Sequence, residues 1–211
     1  MERIICLVVG YICGLLQTGY LYGKMNRIDI RNFGSGNSGT TNALRVMGMK
    51  AGAIVFFGDF LKSLIPCLLV RYIFKEQPEM GTVLMMYMGL GVILGHNYPF
   101  YLNFKGGKGI AATAGLIVAL DLRLTVICLA AFLIIVAVTR FVSLGSLIVA
   151  TIFFLWMAVS GYLGGYGLHD GFAVEFVIVA FVISAQAFWR HRANIDRLLH
   201  GKENKIGSGK K

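Results

Sequence analysis

Apolar positions along this chain fall in long uninterrupted runs, and the polar positions are gathered between them. The first run, from Ile4 to Tyr22, contains no charged residue. Hydropathy predicts further helices over 52–74, 81–98, 109–121, 122–139, 142–163 and 172–190, with the first over 4–23. Runs of about 20 apolar residues match the roughly 30 Å hydrocarbon thickness of a bilayer. The pattern therefore predicts an all-α integral membrane protein of about seven transmembrane helices, with residues 1–211 forming a single multi-pass domain. The fourth helix is short, and its boundary with the fifth rests on the polar step Asp121-Leu122-Arg123. A helix of that length crosses only partly or thins the bilayer locally. The N-terminal run lacks a small-residue cleavage site and reads as a retained first span rather than a signal peptide.

Composition agrees with this pattern. Of the 211 residues, 57% are hydrophobic and 14% charged, against roughly a quarter charged in soluble domains. Cys6, Cys13, Cys67 and Cys128 all lie inside apolar runs without metal-ligand spacing, as small apolar helix residues do. Asp59 and Lys62 sit one helical turn apart inside the second run. Charges at that depth face the interior of a bundle, either as a structural pair or as a contact to substrate.

The charge distribution sets an expected orientation. With seven spans, segments 24–51, 99–108, 140–141 and 190–211 share one side and carry 15 of the 20 Lys and Arg, Lys210 and Lys211 among them. The opposite side holds Arg3, Arg71, Lys75 and Arg123. The positive-inside rule places the richer side in the cytoplasm, with the N-terminus outside and the C-terminus inside. A basic inner face of net charge +10 suits anionic headgroups or a phosphorylated substrate. There is no soluble basic domain to hold nucleic acid.

Three polar segments fall on that basic side. Residues 34–45 read Gly-Ser-Gly-Asn-Ser-Gly-Thr-Thr-Asn-Ala-Leu-Arg. Their glycines let backbone N–H groups turn toward an anion. Thr40, Thr41 or Asn42 is placed to cap a short helix leading to Arg45. The second segment is Gly95-His96-Asn97-Tyr98-Pro99 followed by Phe104-Lys105-Gly106-Gly107-Lys108-Gly109. Two lysines among three glycines at the start of a helix suit a phosphate, although a Walker loop is excluded because its first glycine and its Lys-Ser/Thr ending are missing. The third runs from Trp189 through His191, Asn194 and Asp196 to Glu203, a basic amphipathic tail with an interfacial tryptophan. A His-x-x-x-x-Asp match of His191 and Asp196 in so short and polar a tail carries little information.

Together the three segments resemble the bacterial acyl-phosphate-dependent glycerol-3-phosphate acyltransferases, the PlsY-type family, in order and spacing over nearly the whole chain. The first motif is similar through Ser35-Gly36-Asn37, Gly39, Thr41, Asn42 and Arg45. The second is similar through Gly95-His96, Pro99, Lys105 to Gly109 and Thr113, and the third through His191, Asn194, Arg197, Gly201 and Glu203. Ser38, Thr40, Ser63, Ala193 and Asp196 depart from the usual pattern. The resemblance implies transfer of a fatty acyl group from acyl phosphate to sn-glycerol 3-phosphate, giving lysophosphatidic acid and phosphate in phospholipid biosynthesis at the bacterial inner membrane. No cofactor, metal or obligate protein partner is implied.

Acyl phosphate is an activated anhydride whose phosphate leaves readily. The residues are then expected to hold two anions and stabilise an oxyanion. Ser35, Asn37, Arg45, His96, Lys105 and Asn194 form the expected catalytic set. Gly36, Thr41, Asn42, Gly106, Gly107, Lys108, Gly109, Thr113, His191 and Glu203 form the binding set. Arg45 and Lys105 are expected to clamp phosphates, and the amides of Gly106, Gly107 and Gly109 to cradle one. Ser35, Asn37 and Asn194 would position hydroxyls or the carbonyl oxygen. His96 is the protein's candidate general base, with the substrate's own phosphate as its rival. Glu203 is expected to tether the tail to a basic loop. A nucleophilic Ser35 lacks an evident base beside it. The alternative from another class is a transporter of a small phosphorylated solute, which requires a site open to both faces.

Overall fold

The computed structural model describes residues 1–207; Lys210 and Lys211 lie outside the described residues. Among those residues the secondary structure is helical, without strands. Ten α-helices follow in order: α1 Glu2–Gly14, α2 Thr18–Met25, α3 Thr40–Met47, α4 Met49–Ile73, α5 Pro78–Asn97, α6 Ile110–Leu120, α7 Leu122–Thr139, α8 Val142–Tyr162, α9 Asp170–Arg190 and α10 Arg192–Leu199. Six stretches are long and apolar enough to cross a membrane, with Glu2–Met25 counted as one. The fourth expected span is α6, whose 11 residues reach only about 16 Å, half the hydrocarbon thickness. The Asp121 step ends it as expected: its carboxylate accepts from the N–H groups of Arg123 (2.8 Å) and Leu124 (3.3 Å) and caps α7.

The helices turn apolar side chains outward. Val126, Leu129, Leu133 and Ile134 on α7, and Ile65 and Leu69 on α4, are exposed. Such a surface fits hydrocarbon, where Leu and Ile cost nothing to expose. The interior is built around α5, which buries Val83, Leu84, Met86, Val92 and Ile93 completely or nearly so. It packs against α1, α4, α6 and α9.

The α1–α5 seam is made of glycines. A Cβ at Gly10 or Gly14 would strike the carbonyl oxygens of Met88 or Val92. One at Gly91 or Gly95 would strike those of Leu7 or Tyr11. Each helix thus presents two glycines four residues apart, and the backbones meet directly, a common mode of helix association in membranes.

The first span departs from expectation in one respect. It is two helices, broken at residues 15–17, rather than one continuous run. The break leaves carbonyls without intrahelical partners, and side chains supply them. Gln17, itself 1% exposed, donates to Gly14 O (3.2 Å) and His96 O (3.0 Å). Tyr101 Oη donates to Leu15 O (2.6 Å) and Lys62 Nζ to Leu16 O (2.6 Å). Buried backbone groups need such partners.

Candidate active site

A cavity of about 320 Å³ opens where the three polar segments meet. Ser35, Asn37, Thr41, Asn42 and Arg45 reach it from the first segment; His96, Lys108 and Gly109 from the second; His191, Asn194, Arg197 and Glu203 from the third. Phe56, Ile110, Phe132, Val136 and Val142 give it an apolar wall drawn from α4, α6, α7 and α8. One chamber is therefore lined by both cationic and apolar side chains.

The first segment is shaped by its amides. Asn42 is buried and accepts from Ser35 N (2.8 Å) while donating to Ile30 O and Phe33 O (3.0 Å each). It staples the loop, and a side chain at Gly34 (φ +61°) would collide with it. Asn37 Oδ1 accepts from Gly39 N at 2.8 Å. The expected hydroxyl or amide cap at residues 40–42 is not formed: α3 starts from Gly39 as N-cap without a side-chain bond. Arg45 on α3 lines the cavity and has no ion-pair partner among the described residues.

The second segment divides its lysines. Lys108 faces the cavity, whereas Lys105 is exposed and Gly36, Lys105, Gly106, Gly107 and Thr113 are outside its wall. The expected cradle does not fit Gly106 and Gly107, because their N–H groups already donate to Asn97 O (3.2 Å) and His96 O (3.0 Å). Their glycine character has a steric cause: a Cβ on Gly106 would overlap His96 O, and one on Gly107 would overlap His96 Nε2. Arg190 holds this loop from above, donating to Gly106 O (2.9 Å) and Gly107 O (2.7 Å) and lying 5.2 Å from the Tyr98 ring centroid. Gly109 adopts φ +80° and starts α6. Buried Thr113 donates back to Gly109 O at 2.9 Å.

The third segment folds over the cavity. Lys108 Nζ donates to Asn194 Oδ1, and Asn194 Nδ2 to Glu203 Oε1 (2.7 Å). Ser143 Oγ and Arg197 Nε donate to the same carboxylate at 3.0 and 2.8 Å. Glu203 thus ties the tail to α8 and α10, and through Asn194 to Lys108. Burial pulls the Lys108 ammonium down to about 8; Glu203 opposes this, and Arg197, Arg190 and Arg45 add to it. Asp196 meets His200 rather than His191.

Two histidines of opposite tautomer line the cavity. His191 donates through Nδ1 to Ala187 O at 2.7 Å, which leaves Nε2 as an acceptor. Burial and then the Lys108 charge hold its basicity down, at about 4. His96 is the reverse. Its Nδ1 lies 2.8 Å from Lys62 Nζ, which also donates to Asp59 Oδ1 (2.7 Å) and Leu16 O. An ammonium has three donors and no acceptor, so Nδ1 must accept and Nε2 carries the proton. The expected general base is therefore a donor in this arrangement. Asp59 and Lys62, expected to face inward, are 1% and 8% exposed.

Sequence reasoning missed Arg190, Gln17 and Ser143, and left Arg197 without a role. Arg190 stood out only as a basic residue at the end of a span; its partners lie 83 and 84 positions away.

Residues 4–201 match the family model described as glycerol-3-phosphate acyltransferase. A protein of that name from Clostridioides difficile (strain 630) is 39% identical over 214 residues, covering 98% of this chain and 97% of the relative. Its counterpart in Thermoanaerobacter sp. (strain X514) is 37% identical over 208 residues, covering 98% and 97%. The crystal structure of PlsY, an integral membrane glycerol 3-phosphate acyltransferase, in its glycerol 3-phosphate form superposes with a TM-score of 0.85 at 35% identity, covering 99% of this chain and 97% of that one. Its lysophosphatidic acid form gives 0.82 at 34% identity. This chain belongs to the glycerol-3-phosphate acyltransferase family, and is an integral membrane protein of that fold.

Proposed function

We propose that this acyltransferase takes its acyl group from acyl phosphate, transfers it to the 1-hydroxyl of sn-glycerol 3-phosphate, and releases lysophosphatidic acid and phosphate on the cytoplasmic face of a bacterial inner membrane. The observation that carries this reading is the mixed lining of one cavity, in which Arg45 and Lys108 stand with apolar side chains of α7 and α8. An anionic headgroup suits the cations, and an acyl chain slipping between helices from the bilayer suits the apolar side chains.

The cavity's cations suit two phosphates, and the anhydride needs no strong acid to expel its leaving group. Arg45 and Lys108 bind phosphate oxygens through charge-assisted hydrogen bonds. Ser35, Asn37 and Thr41 supply further polar contacts at the mouth. His96 donates Nε2–H to the carbonyl oxygen as negative charge grows on it. His191 accepts from the 2-hydroxyl through Nε2. Lys105 is assigned attraction of anions to the mouth rather than contact with the reacting atoms.

The test is phosphate release from palmitoyl phosphate by purified protein. Release that requires glycerol 3-phosphate, together with no turnover of acyl-CoA, supports the reading; turnover of acyl-CoA or independence from glycerol 3-phosphate overturns it. Labelling the loops around Asn37 and Gly107 from opposite sides of the membrane tests the orientation.

A further inference from the structure

Asp59 uses only one of its two carboxylate oxygens. Oδ1 accepts from Lys62 Nζ (2.7 Å) and Thr18 Oγ1 (3.2 Å). Oδ2 is buried and has no hydrogen-bond partner among the described residues. An ionised acceptor left unpaired away from water is costly, and buried polar atoms are nearly always satisfied. Asp59 nevertheless belongs to the wall of the catalytic cavity. An unsatisfied anionic oxygen at that wall marks the place of a donor that arrives with the ligand.

The neighbouring group shows what kind of donor. His96 shares the wall, its Nδ1 lies 3.6 Å from Asp59 Oδ1, and both are held by Lys62. His96 offers an N–H and Asp59 a free acceptor, on two residues that line the same cavity. When an alcohol adds to a carbonyl, positive charge grows on the attacking oxygen and negative charge on the carbonyl oxygen. A fixed acceptor and a fixed donor in one cavity answer both changes.

We propose that Asp59 is a catalytic residue: its Oδ2 accepts the hydrogen bond of the hydroxyl of glycerol 3-phosphate that attacks the acyl group. The inference rests on the acyl-transfer reading above and deepens it. In the step, the hydroxyl oxygen bonds to the acyl carbon. The bond from that carbon to the phosphate oxygen breaks, and its electron pair leaves with phosphate. The hydroxyl proton ends on the released phosphate. Asp59 stays a carboxylate throughout, because the Lys62 ammonium is bound to its other oxygen; it aims the hydroxyl and stabilises the charge growing on it.

Asp59→Asn tests this at one atom. The amide oxygen keeps the place of Oδ1 against Lys62 and Thr18, while an NH₂ donor replaces the Oδ2 acceptor. The readouts are kcat, and binding of glycerol 3-phosphate against its 1-deoxy analogue, which keeps the phosphate and the 2-hydroxyl. The unmodified protein is expected to favour glycerol 3-phosphate by about 10- to 100-fold, the range for a hydrogen bond to a charged group. In the variant that preference disappears, kcat falls by at least a similar factor, and affinity for the 1-deoxy analogue stays within about twofold. A variant that retains both the preference and kcat overturns the proposal and leaves Asp59 a purely structural partner of Lys62. Should the lone Lys62 charge prevent folding, Asp59→Asn/Lys62→Gln removes both charges and is judged by the same preference for glycerol 3-phosphate over the analogue. Failure of the unmodified protein to bind glycerol 3-phosphate at all would instead count against the acyl-transfer reading itself.

Discussion

Lys62 Nζ stands 2.8 Å from His96 Nδ1, and this contact decides which way the histidine can act. All three protons of the ammonium have acceptors, so the imidazole keeps its own proton on Nε2, the nitrogen beside Gly107. A base cannot work from that nitrogen. His96→Ala is expected to lower kcat by about 100-fold, the usual cost of removing one oxyanion donor. His96→Gln, which retains an N–H at similar reach, is expected to recover part of that loss. Phosphate-release assays at saturating substrate separate the two roles, because a base would be lost equally in both variants.

The two lysines of the glycine loop should separate sharply. Lys108 lines the cavity and bonds Asn194, whereas Lys105 is exposed outside the wall. Lys108→Ala is expected to raise KM for glycerol 3-phosphate by about 10-fold or more, in keeping with loss of a charge-assisted hydrogen bond. Lys105→Ala is expected to change KM by about twofold or less, since exposed charges are screened by salt. Equal losses in the two variants would place Lys105 in contact with the substrate after all.

Activity should also carry the mark of Lys108 in its pH dependence. Burial holds its ammonium down at about 8, with three arginines adding to the effect against Glu203. The cation is present below that pH and lost above it. KM for glycerol 3-phosphate is therefore expected to rise as pH passes about 8. Lys108→Arg should move that rise beyond pH 9.5, since guanidinium stays charged. His191, held at about 4 by burial, should remain neutral and contribute no change between pH 6 and 8. Initial rates from pH 6.5 to 9.5 in both proteins check this.

The apolar runs made the helical membrane fold legible, because hydropathy acts over whole segments and needs no knowledge of partners. The short fourth helix and its Asp121 boundary were readable for the same reason: one polar step in an apolar run has a local cause. The inward placement of Asp59 and Lys62 followed from the cost of burying charge in hydrocarbon. The break at residues 15–17 was not readable. Hydropathy does not register where a hydrogen-bond ladder is interrupted, and the partners that satisfy it, Lys62 and Tyr101, lie 46 and 86 positions away.

At the site, the same locality divides what could be read from what could not. The residue types of the three motifs pointed to anion chemistry, and Arg45, Lys108, His191 and Asn194 do reach one cavity. The glycines misled. Gly106 and Gly107 suggested free amides, but they are small because His96 occupies the space where a Cβ would stand. The histidine tautomers were equally hidden, since each is set by a partner, Lys62 for His96 and the Ala187 carbonyl for His191. Those pairings exist only once the helices are assembled.

The glycine seam gives the last expectation, one about stability rather than chemistry. Gly14 meets the backbone of α5 at Val92 and Gly95, directly before His96. A Cβ there would overlap the Val92 carbonyl oxygen, which is backbone in a regular helix and cannot turn aside. The two helices would have to separate. Overpacking of this kind costs roughly 1–3 kcal/mol in a well-packed core. Gly14→Ala should therefore lower the midpoint of thermal unfolding in detergent. Leu16 O, two residues on, accepts from Lys62, so the same displacement should loosen the support of His96 and reduce kcat as well. Gly171, which has open space around its missing Cβ, provides the control: Gly171→Ala should change neither measurement. If Gly14→Ala behaves like this control, direct contact between the backbones of α1 and α5 is not what holds the seam closed.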